Sequence, residues 1–441
     1  MPGLFKKLRN VLKKKEETSK EADVLDFGTS SIQECLDNFY TNKVELKVIE
    51  KKFKTEISVN PDFADLHVCL GKVLAAEGRI DEAEKEFKKA TQINPKYLDG
   101  NLALAEIYYR QDKLREAEEQ CKTVITADKD RADARVCMGK VFFAQRKLKE
   151  AEKEYREAID IKPDYADAHF ELGGVYFEQA KLWEAVHEHK KALQLNPKYV
   201  DAYIGLGWIY YHQDKLKDAK AQFNKAIEIN PREPGIYIGL GWVFYHMEAL
   251  EEAEHEFKKA VELESDNADA HNGLGWVYYR KDEKAGEGID LAESEFKKVK
   301  EINPNYCSAR TGLGNVYYKK GKLGYAEEEF MKALTLEPDS ADIHIGLGWI
   351  YYKWFEYQPE KINDAEKNFK KAIELDPDKL NAHIGLGWVY FRKKDYEMAE
   401  KEFLKAAKSK AYFDEAHIGL GSVYEKLGKS DKAKKQFKKA E

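Results

Sequence analysis

The sequence predicts an all-α solenoid in which one helix-turn-helix unit is repeated about eleven times. Three observations lead there. The phrase Gly205-Leu206-Gly207-Trp208-Ile209-Tyr210-Tyr211 returns nearly unchanged from Gly239, Gly273, Gly346 and Gly385, at intervals of 34, 34, 73 and 39 residues. The interval of 73 holds one more copy, Gly312-Leu313-Gly314-Asn315-Val316-Tyr317-Tyr318. Twelve residues after the second glycine an alanine recurs, then an aromatic four on, an alanine three on and often a proline five beyond, as in Gly71, Ala83, Phe87, Ala90 and Pro95. A fixed period of this length marks a stack of supersecondary units, each too small to bury its apolar face alone.

Within a unit, Leu70, Gly71 and Leu74 fall on one face of a first helix, and Ala83, Phe87 and Ala90 on one face of a second. The small residues let the two helices approach closely. The proline lies just past the second helix, where it cannot continue the helix and marks its stop.

The 34-residue period with Leu-Gly, Tyr, Ala, Phe, Ala and Pro at these offsets resembles the tetratricopeptide repeat family. The resemblance covers residues 64–441 in eleven units, starting at Ala64, Leu98, Ala132, Ala166, Val200, Pro234, Ala268, Cys307, Ala341, Leu380 and Asp414. It implies a right-handed superhelix with a ligand-holding concave groove and a non-catalytic role in protein binding. Residues 30–63 keep only Phe53 and Pro61 in register and are expected to form a degenerate capping hairpin. Two units carry five extra residues between their helices, near 284–291 and 354–363, where loops on one rim are expected.

Composition narrows the function. The net charge of −6 conceals a basic tip, since residues 1–15 hold six Lys and Arg and no acid, which leaves −12 for the rest. An acidic body argues against a nucleic-acid groove, because phosphate binding needs clustered Lys and Arg. The five cysteines are odd in number and lack C-x-x-C spacing, as expected of unpaired thiols in a reducing compartment. No secretory signal and no membrane-spanning run is evident, so a cytoplasmic protein is expected, peripheral at the inner face of a membrane. The chain has no G-x-x-x-x-G-K, H-E-x-x-H or G-x-S-x-G, so no catalytic residue and no cofactor are expected.

Counted from the start of each unit, positions 3, 7, 10 and 11 of the first helix serve stacking, as in Ala202, Leu206, Ile209 and Tyr210. Positions 2, 5, 9 and 12 form a second face. In the family this face looks into the groove. Position 9 reads Trp208, Trp242, Trp276, Trp349 and Trp388; position 12 reads Tyr211, Tyr245, Tyr279, Tyr318, Tyr352 and Phe391. Position 5 offers Ile204, Ile238, Ile345, Ile384 and Ile418, while position 2 is mostly acidic, as in Asp201, Asp269 and Asp342. Such a ladder is larger than the apolar patches soluble monomers expose. Either it anchors a partner segment, or the tryptophans pack sideways onto neighbouring units; the two are compatible. Family members that clamp an acidic tail use Lys and Asn at positions 5 and 9, so Ile and Trp there argue against carboxylate clamping. Basic residues at position 13, among them Arg280, Lys319, Lys353 and Arg392, suit a ligand with some acidic residues.

Gly205, Gly239, Gly273, Gly312, Gly346, Gly385 and Gly419 sit two residues before the family glycine, each costing about 1 kcal/mol relative to Ala in a helix. The expected return is room beside the following Trp, for a neighbour's indole or a ligand backbone. His67, His169, His271, His344, His383 and His417 share position 4. Ligands one helix pair apart cannot all lie near 2 Å from zinc, so no metal and instead a structural role between units is expected.

At the N-terminus, Leu4, Phe5, Leu8, Val11 and Leu12 gather on one side of a short helix over residues 1–15, beside Lys6, Lys7 and Arg9. This is the pattern of a helix lying on an anionic membrane, with docking on a protein or an unbound tail as alternatives. Residues 16–29 read as a flexible tether. The expected function is a scaffold binding an apolar or aromatic protein or peptide segment. The alternative is a homo-oligomeric coat or filament of stacked arrays, which particle size rising with concentration would mark.

Overall fold

The computed structural model describes residues 43–285, 288–408 and 413–440. The amphipathic segment 1–15 with Leu4, Phe5, Lys6, Lys7, Leu8, Arg9, Val11 and Leu12, the tether 16–29, and residues 30–42 of the expected capping hairpin lie outside them. Among the described residues there are 23 helices and no strand. The helix Lys43–Val59 comes first, and its Leu46, Ile49 and Phe53 pack against Val73 and Ala76 of the first complete unit.

Ten of the eleven first helices begin at the residue where the repeat spacing puts them, from Ala64 to Leu380, and the eleventh begins at Phe413. Their ends have local causes. Seven of the second helices stop just before a proline, whose ring disfavours helical backbone at the preceding residue. Asn94, before Pro95, is accordingly extended at φ −138°, and its side-chain oxygen accepts the Lys96 N–H at 3.1 Å, a turn repeated at Asn196, Asn230, Asn303 and Asp376. The turn inside each of nine units needs one left-handed residue. Gly78, Gly321 and Gly428 supply it, but so do Asp112, Arg146, Ala180, Asp214, Glu248 and Lys394 at φ 58° to 66°. That conformation costs a non-glycine roughly 1–2 kcal/mol, which the flanking helix packing must offset.

The chain divides into two compact bodies, one ending at Ile209 and the other beginning at Tyr210. In the second body, each first helix lies against its own second helix, and that second helix lies against the first helix of the next unit. The contact centres on one phenyl ring. Phe257, Phe296, Phe330, Phe369 and Phe403 are at most 1% exposed. Each lies between two helical glycines, one from its own first helix and one from the next unit, as Phe257 lies between Gly241 and Gly273. A Cβ at either glycine would overlap the ring. The glycines at Gly239, Gly273, Gly312, Gly346, Gly385 and Gly419 therefore make room for the preceding unit's phenylalanine, and not for an indole or a ligand backbone as the sequence suggested. In the first body the same slot holds Phe87, Tyr155 and His189 against Gly71, Gly139 and Gly173, with His189 also facing Gly205.

The two insertions differ in form. The first continues its helix, Ala268–Ala285, for 18 residues, because Arg280-Lys281-Asp282-Glu283-Lys284-Ala285 holds no helix breaker. It is thus a helical extension and not a loop from its start, and residues 286–287 lie outside the described set. The second is a turn between Trp354 and Lys361, with Tyr357 78% exposed.

Candidate functional site

The candidate site is the first-helix face made by positions 2, 5, 9 and 12. In four units of the second body, position 9 is a half-buried indole held on two sides. Trp242, Trp276, Trp349 and Trp388 stand edge-on to Phe257, Phe296, Phe369 and Phe403 of their own second helices, with ring centroids 5.2 to 5.4 Å apart. One turn along the helix they meet Tyr245, Tyr279, Tyr352 and Phe391 at 5.5 to 5.9 Å. Edge-to-face pairs of this kind each contribute roughly 0.5–1.5 kcal/mol beyond area burial. Trp276 Nε1 donates to Ser308 Oγ at 3.0 Å and Trp349 Nε1 to Asn381 Oδ1 at 3.2 Å, both acceptors being position 2 of the following unit. The indoles thus pack sideways and still present part of their surface. In the first body Trp208 and Ile204 are likewise half-buried.

The isoleucines divide. Ile238, Ile345 and Ile384 are buried and belong to the core, whereas Ile418 is 43% exposed. The rings at position 12, including Tyr211 and Tyr318, are half-buried, and burial pushes the Tyr211 phenol up to about 12.

The cations of position 13 have partners that sequence reasoning missed. Arg280 lies over Tyr245 at 5.6 Å, Lys319 over Tyr279 at 5.1 Å, Lys353 over Tyr318 at 5.2 Å and Arg392 over Tyr352 at 5.9 Å. Each cation covers the position-12 ring of the unit before it. The signal available was the period itself, which sets position 13 beside the preceding position 12. The acids of position 2 are engaged too: Tyr97 donates to Asp65, Arg131 to Asp99 at 3.0 Å, Tyr306 to Asp269 at 2.5 Å and Lys379 to Asp342 at 2.8 Å. In every case the donor is the residue just before the next unit. Burial and the Asp269 carboxylate both push the Tyr306 phenol up.

Four position-4 histidines span two units. His383 Nδ1 meets Glu402 at 2.5 Å while Nε2 meets the Pro377 carbonyl at 3.2 Å; His67, His169 and His271 repeat this with Glu86, Glu188 and Glu295 and the carbonyls of Pro61, Pro163 and Ser265. Tyr237 and Arg310 reach the carbonyls of Pro231 and Pro304 from the same position. In these six units position 4 therefore fastens the unit to the turn that precedes it, whereas His344 and His417 bond within their own unit, to Asn368 and Gln436. Burial pushes the Glu402 carboxyl up, but hydrogen bonds from His383 and Lys405 outweigh it and hold the group below its usual range. Among the described residues no group of three His, Cys, Asp or Glu is arranged to hold a metal ion, and no helix is long and apolar enough to cross a membrane.

The tetratricopeptide repeat family matches residues 60–136, 139–180, 200–233, 243–282, 314–353, 357–415 and 414–441. The chain is a tetratricopeptide repeat protein. No curated protein matches it significantly. Among solved structures, this tetratricopeptide repeat protein is similar to a human IFIT1 dimer with m7Gppp-AAAA, at 18% identity over 90% of this chain and 94% of that one, with a TM-score of 0.53. It is also similar to the Cut9-Hcn1 hetero-tetramer of the APC/C, at 15% identity over 85% and 82% of the two chains, with a TM-score of 0.56. At these identities the likeness is one of fold. Tetratricopeptide repeats generally mediate protein–protein interaction, and their fold is typically a non-catalytic scaffold.

Proposed function

We propose that this repeat protein is a non-enzymatic scaffold that binds an apolar or aromatic segment of a partner protein along its Trp–Tyr face. The observation that carries the reading is the ladder of Trp242, Trp276, Trp349 and Trp388, half-buried and already fixed by edge-on rings. Indoles ordered in advance lose little rotamer freedom on binding, so more of their contact energy becomes affinity. The IFIT1 structure carries a capped RNA fragment, but here the cations on this face are stacked on tyrosines. Lys319 also pairs with Asp282 at 2.7 Å. A protein partner suits this surface better than a phosphate backbone.

A pull-down tests the reading. Trp242→Ala with Trp388→Ala is expected to lose at least ten-fold in captured partner while circular dichroism stays that of the parent. Equal capture by a folded variant rejects the groove. The same scaffold is proposed to sit at the inner face of a membrane through residues 1–15, on the sequence pattern of Leu4, Phe5, Leu8, Val11 and Leu12 beside the basic residues. Flotation with anionic liposomes is expected for the full chain and lost when residues 1–15 are deleted; no flotation of the full chain rejects the tether.

A further inference from the structure

The Trp ladder has one gap. The unit beginning at Cys307 carries Asn315 at position 9, where the units on either side carry Trp276 and Trp349. At that place a cavity of about 520 Å³ opens, walled by those two indoles. Its size falls within the roughly 300–1,000 Å³ typical of sites that enclose a ligand.

What lines the cavity is specific. Each flanking indole has three partners: the phenyl of its own second helix, the ring at position 12, and an oxygen at position 2 of the next unit. For Trp276 these are Phe296, Tyr279 and Ser308; for Trp349 they are Phe369, Tyr352 and Asn381. The equivalents for a ring at position 315 are Phe330, Tyr318 and Asp342. All three line the cavity. Asp342 is held there by Lys379 alone, at 2.8 and 2.9 Å, with its side chain 64% exposed. A carboxylate accepts about four hydrogen bonds, so capacity for another donor remains.

We propose that this cavity is a socket for an indole, the tryptophan side chain of a partner segment, which completes the ladder and donates its ring N–H to Asp342. The proposal rests on the groove reading and names one anchor of its ligand. An aliphatic side chain would leave the Asp342 acceptor and the polar wall of Thr311 and Asn315 unused, at a cost in affinity.

The test uses the full chain and N-acetyl-5-fluoro-L-tryptophanamide, followed by fluorine NMR so that the native tryptophans do not interfere. Saturable binding is expected, weakened at least ten-fold in Asn315→Trp, which fills the socket with the residue five other units carry there. The ring-N-methylated probe and the Asp342→Ala variant are each expected to bind several-fold more weakly. Absence of saturable binding to the parent chain, or undiminished binding to Asn315→Trp, overturns the socket. Equal binding of the N-methylated probe overturns the role of Asp342. Because the groove reading is measured on the captured partner with Trp242 and Trp388 changed, the socket can fail while the groove stands, and the reverse.

Discussion

Replacing Gly273 by alanine is expected to destabilise the protein by about 2 kcal/mol, although alanine is the better helix former. In an open helix the exchange would gain about 1 kcal/mol. Here the new Cβ would lie inside the van der Waals surface of Phe257, a ring that is wholly buried and has nowhere to move. Overpacking of this kind costs roughly 1–3 kcal/mol and reverses the sign. Gly174, also within a first helix, has open space where its Cβ would stand, so Gly174→Ala is expected to raise stability by up to about 1 kcal/mol. Urea or thermal unfolding of the two variants beside the parent checks both signs. If Gly273→Ala is as stabilising as Gly174→Ala, the phenyl does not occupy the slot as described.

The second large effect concerns His189, which takes the place that phenylalanine holds in most units. Its ring lies between Gly173 and Gly205 and 5.2 Å from Phe170, and its Nδ1 is buried with no hydrogen-bond partner. Burial pushes its pKa down to about 4. In the unfolded chain an ordinary histidine titrates near 6.5. Between those values the unfolded chain takes up a proton that the folded protein refuses, so stability falls as pH falls from about 6.5 to about 4. The whole effect is about 3 kcal/mol and is complete below the lower value. His189→Phe is expected to remove this dependence and to add about 1–2 kcal/mol at pH 7, where the unpaired Nδ1 carries a cost. Unfolding midpoints between pH 4.5 and 7.5 test it. Parent and variant are compared because carboxyls such as Glu256, pushed up by burial, take up protons in both chains alike. Parallel pH profiles for parent and variant would show that His189 is not the titrating group.

The architecture was readable from sequence because a period is a global constraint: once Gly-Leu-Gly-Trp set the frame, each first helix had to begin where the count put it. The face was readable for the same reason. What fills the first glycine of that phrase was not. The ring that occupies it lies sixteen residues earlier in the chain, on the second helix of the preceding unit, and no helical periodicity links two residues across a turn. Phe257 and Gly273 meet only because the units stack in one register. The cations at position 13 were read as ligand contacts for a similar reason: Lys353 is seen over Tyr318 only when two units are in place. Asn315 interrupts the run of tryptophans in the sequence, yet the space left by a smaller side chain exists only when its neighbours are built around it.

The ring between two glycines also fixes where the array can be cut. A boundary drawn after the proline, between one helical hairpin and the next, strips each phenyl of the glycine supplied by the following unit. A boundary drawn in the turn inside a hairpin strips it of the other. Phe437 is the case in point: it meets Gly421 on one side and is half-buried, whereas Phe403, with Gly387 and Gly419, is fully enclosed. The transferable module is therefore longer than the hairpin that its helices outline. Shortened versions of this protein will keep their solubility best if the outermost retained ring is exchanged for a polar side chain, or if one extra first helix is kept to close over it.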